Sequence, residues 1–202
     1  LNGIEGSLDF DPAGRFTRAD LRAEGGKYTM DLVPDAANKF QTTITVHNSA
    51  LPLLPNWSFD ELVAKGELRN DGLSIRSFDA KILGGIAQGN AMINWHSGWN
   101  AQGTLIAKSI IMKNLNKLLD GNLEGNARFT MASANLADLA YSASLEGSFK
   151  SGDGTISGMD IVETARTRSR VHLPGGRTHY DKLSGNISYS GDTYHFTQVK
   201  VD

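Results

Sequence analysis

The chain has 202 residues, 20 Lys and Arg against 22 Asp and Glu, a formal net charge of −2, and no cysteine. The near-balanced charge gives no overall field to attract nucleic acid or an anionic membrane. The absence of thiols excludes disulfides, thiolate nucleophiles and cysteine-ligated zinc. Its 22 glycines and 5 prolines, with many Ser, Thr and Asn, describe a β-rich chain. No apolar run approaches the roughly 20 residues of a membrane helix. The start at Leu1, with no leader, reads as a fragment of a longer protein whose anchor lies elsewhere.

In chain order, the first strand signal is "NGIEGSLDF", with Ile4, Gly6 and Leu8 on one side of a period-two pattern. "GKYTMDLV" and "KFQTTITVH" continue as strands. In "ELVAKGELRN", Leu62, Ala64, Gly66 and Leu68 face one way, and Val63, Lys65, Glu67 and Arg69 the other. Asn70-Asp71-Gly72 then signals a hairpin into "GLSIRSFDAKIL". Ala87, Gly89, Ala91, Ile93 and Trp95 share the next face, although Gly84-Gly85 invites a bulge before it. Trp99, Ala101, Gly103, Leu105 and Ala107 follow. "NLEGNARFTM" sets Leu123, Gly125, Ala127, Phe129 and Met131 against Asn122, Glu124, Asn126, Arg128 and Thr130. Leu145, Gly147 and Phe149 repeat the phrase, as do Leu183, Gly185, Ile187 and Tyr189. "TYHFTQVKV" closes the chain.

Apolar-x-Gly-x-apolar is the recurring unit, and its glycine keeps to the apolar side. Inner-face glycines let a sheet bend tightly. The fold expected is therefore mainly β: one long, curved antiparallel sheet, a half-pipe groove with an apolar concave face, over residues 1–202 as a single domain. A closed sandwich or barrel with glycine corners is the plainer alternative. The lining expected from parity is Leu62, Leu68, Ile93, Leu105, Leu123, Gly125, Phe129, Met131, Leu145, Phe149, Ile187 and Tyr189. Gly125 is expected to leave space, so that a Leu there would impair function more than folding.

Three short helices are expected as plugs or lids, in "SIIMKNLNKLLDG", "SANLADLAYS" and "MDIVETAR". The first would face Ile111, Leu115, Leu118 and Leu119 together. In the irregular stretch that follows, Arg166, Arg168, Arg170 and Arg177 accompany His172 and His179 without an acid. It reads as a solvated loop or as a contact for phosphate head groups.

No catalytic constellation emerges. There is no G-x-S-x-G. "GDGTISG" lacks the Lys of a phosphate loop. "DFDPAG" begins like a calcium loop but has Ala13 at a ligand position. Asn56 and Asn186 open glycosylation tripeptides, and Trp57, Trp95 and Trp99 could stack on sugars or simply pack. The reading is of a protein that is not an enzyme, with no cofactor, no metal and no nucleic-acid partner.

Residues 57–202 resemble the C-terminal region of AsmA-like proteins, envelope proteins of bacteria with an outer membrane. The phrases that carry the resemblance are "LGGIAQGNAMI", "GDGTISGMDI" and "RTHYDKLSGNISYSGD". The resemblance implies a repeating β-groove in the periplasm, held at the inner membrane by an anchor outside this chain. It implies carriage of phospholipid between inner and outer membranes, with acyl chains as the ligand and other envelope proteins as possible partners. The competing reading is a structural or protein-interaction module of the envelope, with a closed core and no cargo.

Overall fold

The computed structural model describes residues 2–36, 38–51, 54–159, 174–191 and 193–202. Fifteen strands are present among them: β1 (Glu5–Phe10), β2 (Phe16–Ala23), β3 (Tyr28–Ala36), β4 (Lys39–Leu51), β5 (Leu54–Arg69), β6 (Gly72–Ile82), β7 (Gly85–Asn94), β8 (Trp99–Ile111), β9 (Leu119–Asp120), β10 (Asn122–Ser133), β11 (Ser144–Ser151), β12 (Gly154–Met159), β13 (Pro174–Tyr180), β14 (Leu183–Ser190) and β15 (Thr193–Val201). Twelve of them form one antiparallel sheet in the order β1-β2-β3-β4-β5-β6-β7-β8-β10-β11-β14-β15, which does not close. The remaining three form a small sheet, β13-β12-β9.

Local chemistry explains the hairpins. Asp11 organises the β1–β2 turn, its carboxylate accepting from the Ala13 and Arg15 amides at 2.9 Å each and from Arg15 Nε at 2.8 Å. The stretch that opens like a calcium loop is thus an Asx turn. Between β6 and β7, Leu83 and Gly84 both have positive φ, 54° and 77°, as a two-residue hairpin turn needs. Gly85 then starts β7 in register with Ile82, so the parity of Ile93 is preserved. The longest strands, β5 with 16 residues and β4 and β8 with 13, exceed the usual strand length.

The sheet curls on its apolar side. At Gly66, Gly89, Gly103 and Gly147 an added Cβ would stand 2.0 to 2.2 Å from a carbonyl oxygen of the next strand. Backbone there passes through the space a side chain would occupy, which only glycine permits. The curl also accounts for burial. Val46 is fully buried and Ala80 is 2% exposed. A flat single layer could not bury them, and among the described residues no long helix covers this face. Val46, Phe59, Leu62, Ala80, Ile82 and Ile110 form the main core cluster, drawn from β4, β5, β6 and β8.

Helices are scarcer than expected. Strand β8 runs on to Ile111, and among the described residues only Met112–Leu115 (α1) is α-helical. Pairing with β12 takes Leu119 and Asp120 into β9 instead. Met112, not the expected face, is buried, while Leu115 and Leu118 are exposed. The 133–142 stretch forms two 3₁₀ turns, Leu136–Asp138 and Ala140–Ser142, with Leu139 buried between them. So short a connection offers few turns to offset the cost of nucleating an α-helix. The third expected helix lies mostly outside the described residues.

Candidate binding groove

Register decides which side chains share a face. One row runs Leu62, Ala80, Ala87, Ala107, Gly125, Phe149, Gly185 across seven strands. Another runs Leu68, Leu73, Ile93, Ala101, Met131. A third joins Leu105, Ala127, Gly147 and Ile187, and a fourth Phe129, Leu145 and Tyr189. Leu123 stands opposite Ser151 and Ile110. The expected lining residues therefore fall on one face.

The same rows reach β1, which the glycine phrase marks, and further strands that it does not. Leu8, Leu21, Met30, Ile44 and Phe40 extend the face through β1–β4. Ile75 and Phe78 both belong to it, because a register shift lies between them. Gln198, with φ 53°, performs the same service on β15, and the paired positions Tyr194, Phe196 and Val201 continue the face.

The phenylalanines show what several glycines do. Phe78 pairs with Gly89, Phe129 with Gly103, and Phe149 with Gly185. A Cβ on Gly89 would meet the Phe78 ring at 2.9 Å, one on Gly103 the Phe129 ring at 2.7 Å, and one on Gly185 the Phe149 ring at 3.1 Å. Each ring lies over a bare glycine backbone, so three large side chains line the groove without standing up in it. This also corrects the expectation for Gly125. A Cβ there would meet the Ser148 carbonyl oxygen at 2.6 Å. Leucine at this position has to move backbone, so it would disturb the fold as well as the lumen.

None of the residues in these rows is Asp, Glu, Lys, Arg or His. The charges lie on the opposite face, where Lys81 pairs with Glu61 at 2.7 Å and Lys150 with Glu124 at 3.0 Å. Polar groups on the inner side are spent within the protein. The buried Thr42 hydroxyl donates to the Asp31 carbonyl at 3.0 Å, and Tyr28 donates to the Ala50 carbonyl at 2.6 Å. Among the described residues no buried side-chain polar atom lacks a partner.

One end of the C-terminal half is plugged, by the small sheet rather than by a helix. Tyr180, 1% exposed, packs with Met112 and Leu183 against Leu119, Leu123, Phe149 and Ile156. Its hydroxyl donates to the Asp120 carbonyl at 2.9 Å and lies 3.2 Å from Ser151 Oγ.

Of the expected head-group arginines, Arg177 is exposed on β13 opposite Ser157. Arg166, Arg168 and Arg170, and with them His172, lie outside the described residues. His179 joins Asp153 at 3.2 Å and Asp181 at 3.8 Å on the surface, tying two turns together. Trp95 stacks at 5.5 Å on Trp99 and donates Nε1–H to the Asn70 carbonyl at 2.8 Å, so both rings brace the β5–β6 turn. Asn186 is exposed on β14, its amide donating to Gln198 Oε1 at 3.1 Å.

Comparison with family models, with curated proteins and with solved structures finds no match.

Proposed function

We propose that this chain is a groove protein of the AsmA-like kind, which holds phospholipid acyl chains along its apolar face and helps carry them between inner and outer membranes. The observation that carries the reading is the charge-free apolar face, open at both edges, across twelve strands. An apolar surface on that scale needs an occupant. Each methylene moved from water onto it stabilises the bound state by about 0.8 kcal/mol. That gain needs no specific polar partner, so a chain can slide from strand to strand.

No cation lies in the lining rows to neutralise a phosphate, and a charged head group there would lose its hydration without compensation. The head group therefore rides at the rim in water, and Arg177, exposed on β13, is the candidate contact among the described residues. The resemblance supplies the periplasmic setting, the inner-membrane anchor and any envelope partners. The reading assigns no catalysis, cofactor or metal.

The second reading, an envelope module without cargo, is favoured by the packed cluster around Val46, where the face is filled by its own side chains.

Native mass spectrometry tests the choice on protein expressed in the periplasm of a bacterium with an outer membrane. The expected spectrum carries phospholipid adducts, and Leu105→Glu, which puts a carboxylate into the lining, removes them while the circular dichroism of the sheet persists. Wild-type protein free of phospholipid, or adducts that survive Leu105→Glu, would overturn the groove reading.

A further inference from the structure

The connection from β8 to β10 leaves the large sheet and turns apolar side chains outward. Leu115 is 44% and Leu118 53% exposed. A single surface leucine needs no explanation, but these two stand within one turn of chain. They do not belong to a loose loop. Met112 is 3% exposed and roots the connection beside Tyr180 and Leu183. Its amide donates to the Gly121 carbonyl at 3.0 Å, which closes the base. The Asn116 amide donates to the Met112 carbonyl at 2.9 Å, and Asn116 Oδ1 accepts from the Leu118 amide at 2.9 Å. The Leu118 carbonyl accepts from the Ser157 amide at 2.7 Å. The backbone is thus fixed around both leucines, and their side chains are held in water.

The charge of this connection is one-sided. From Lys108 to Leu119 the sequence holds Lys108, Lys113 and Lys117 and no Asp or Glu. Lys113 and Lys117 are exposed, and among the described residues neither forms an ion pair. Asp120, the next acid in sequence, lies at the base, where its Oδ1 accepts from the Gly121 amide at 2.9 Å. The chain as a whole, at −2, supplies no attraction for an anionic surface; this connection supplies it locally.

The opposite end of β10 is built differently. The connection to β11 also exposes apolar side chains, Leu136 and, at 78%, Tyr141. Its charge is Asp138, and from Ser133 to Ser144 there is no Lys or Arg. The two ends of the strand therefore differ in the sign of charge that accompanies exposed apolar surface.

Leucines interleaved with lysines fit a surface layered in the same way. In a bilayer with anionic lipid, Leu115 and Leu118 enter the boundary between head groups and acyl chains, while the ammonium groups of Lys113 and Lys117 stay among the phosphates. We propose that the β8–β10 connection is a membrane foot, which docks this end of the sheet on a bilayer containing anionic phospholipid. Docking sets the plug around Tyr180 at the membrane and turns the β10–β11 connection away from it. The proposal does not rest on the groove having a cargo, because an envelope module without cargo docks in the same way.

The chain has no native cysteine, so a single thiol can be labelled. Leu118→Cys carrying a nitrobenzoxadiazole dye should brighten and shift to the blue with vesicles of phosphatidylethanolamine and phosphatidylglycerol, and the same dye on Tyr141→Cys should not. In flotation with these vesicles, Leu115→Ser with Leu118→Ser should bind about tenfold more weakly than wild type, or less still. Lys113→Glu with Lys117→Glu should abolish the preference over phosphatidylcholine vesicles. Leu136→Ser with Tyr141→Ser should float as wild type does. All these side chains are exposed, and circular dichroism checks that each variant keeps its sheet. In native mass spectrometry the double-serine variant at 115 and 118 should give the wild-type spectrum, with or without phospholipid adducts, so foot and groove fail separately. A wild-type chain that does not float, a dye at position 118 that keeps its emission in water, or adducts lost with the two leucines would overturn the proposal. Capture on an immobilised acidic polypeptide without flotation would overturn it in favour of a protein partner.

Discussion

Substitution of Gly103 by alanine probes the glycine floor directly. The added methyl would stand 2.2 Å from the Asn90 carbonyl oxygen and 2.7 Å from the Phe129 ring. Carbon needs more than 3 Å from either, so the β7–β8 backbone has to part and the ring has to lift. Overpacking of this kind destabilises by about 1–3 kcal/mol. For a chain of this size each kcal/mol moves the thermal midpoint by about 2–4 °C, so a fall of about 2–12 °C is expected. Gly152, with nothing within 4 Å of its added Cβ, is the control, and Gly152→Ala should stay within about 0.5 kcal/mol of wild type. Thermal unfolding followed by circular dichroism reads both. Phe129→Ala completes a double-mutant cycle: once the ring is gone, Gly103→Ala has only the carbonyl to displace, and the pair should be less destabilised than the sum by about 0.5 kcal/mol or more. An unchanged midpoint for Gly103→Ala, or strict additivity with Phe129→Ala, would refute the argument that the glycine is there to seat the ring.

Tyr180→Phe should lower stability by about 1 kcal/mol, measured by urea unfolding, because the buried Tyr180 ring loses its part-buried hydrogen bond to the Asp120 carbonyl. Acid should weaken the fold in a defined way. The Arg15 amide, and then its guanidinium, hold the Asp11 carboxyl below its usual range, and Lys81 does the same for Glu61. With folded values below unfolded ones, these groups contribute fully above the ordinary carboxylate range, and the contribution is lost as pH falls through the depressed folded values. The thermal midpoint should therefore decline below about pH 4, and Asp11→Asn and Glu61→Gln should each flatten that decline.

The mainly β, antiparallel fold and the sharing of one face by the apolar residues were legible because period-two alternation survives wherever one face meets water and the other does not. Leu123 to Met131 is such a case, whereas its partners on β8 and β11 are set by the register that the structure shows. Three things were hidden. Register shifts put Ile75 and Phe78 on one face despite opposite parity, and no residue type between them announces it. The run from Ser109 to Gly121 has helical spacing, yet Leu119 and Asp120 pair with a strand more than thirty positions on, a tertiary contact that local pattern does not contain. The reason for the inner glycines was half visible. Their face could be read from the sequence, whereas the ring or carbonyl lodged over each depends on which residue stands across the strand.

The order of the large sheet has a consequence for how the chain reaches it. Strands β1 to β7 pair only with their sequence neighbours, each across a short connection, and β8 passes over the two-residue β9 to pair with β10. Closing short loops costs little entropy, and structures rich in local pairings fold quickly. Such a sheet can lengthen one hairpin at a time, from the N-terminal side, as the polypeptide emerges. The larger break is at β14, which docks on β11 although β12 and β13, which lie between them in sequence, belong to the small sheet. Until it does, β11 is the growing edge, and the strand after it in sequence belongs to a different sheet. The plug around Tyr180 is built on that small sheet, so its closure and the resumption of the main sheet are one event, and the slowest step of assembly is expected there.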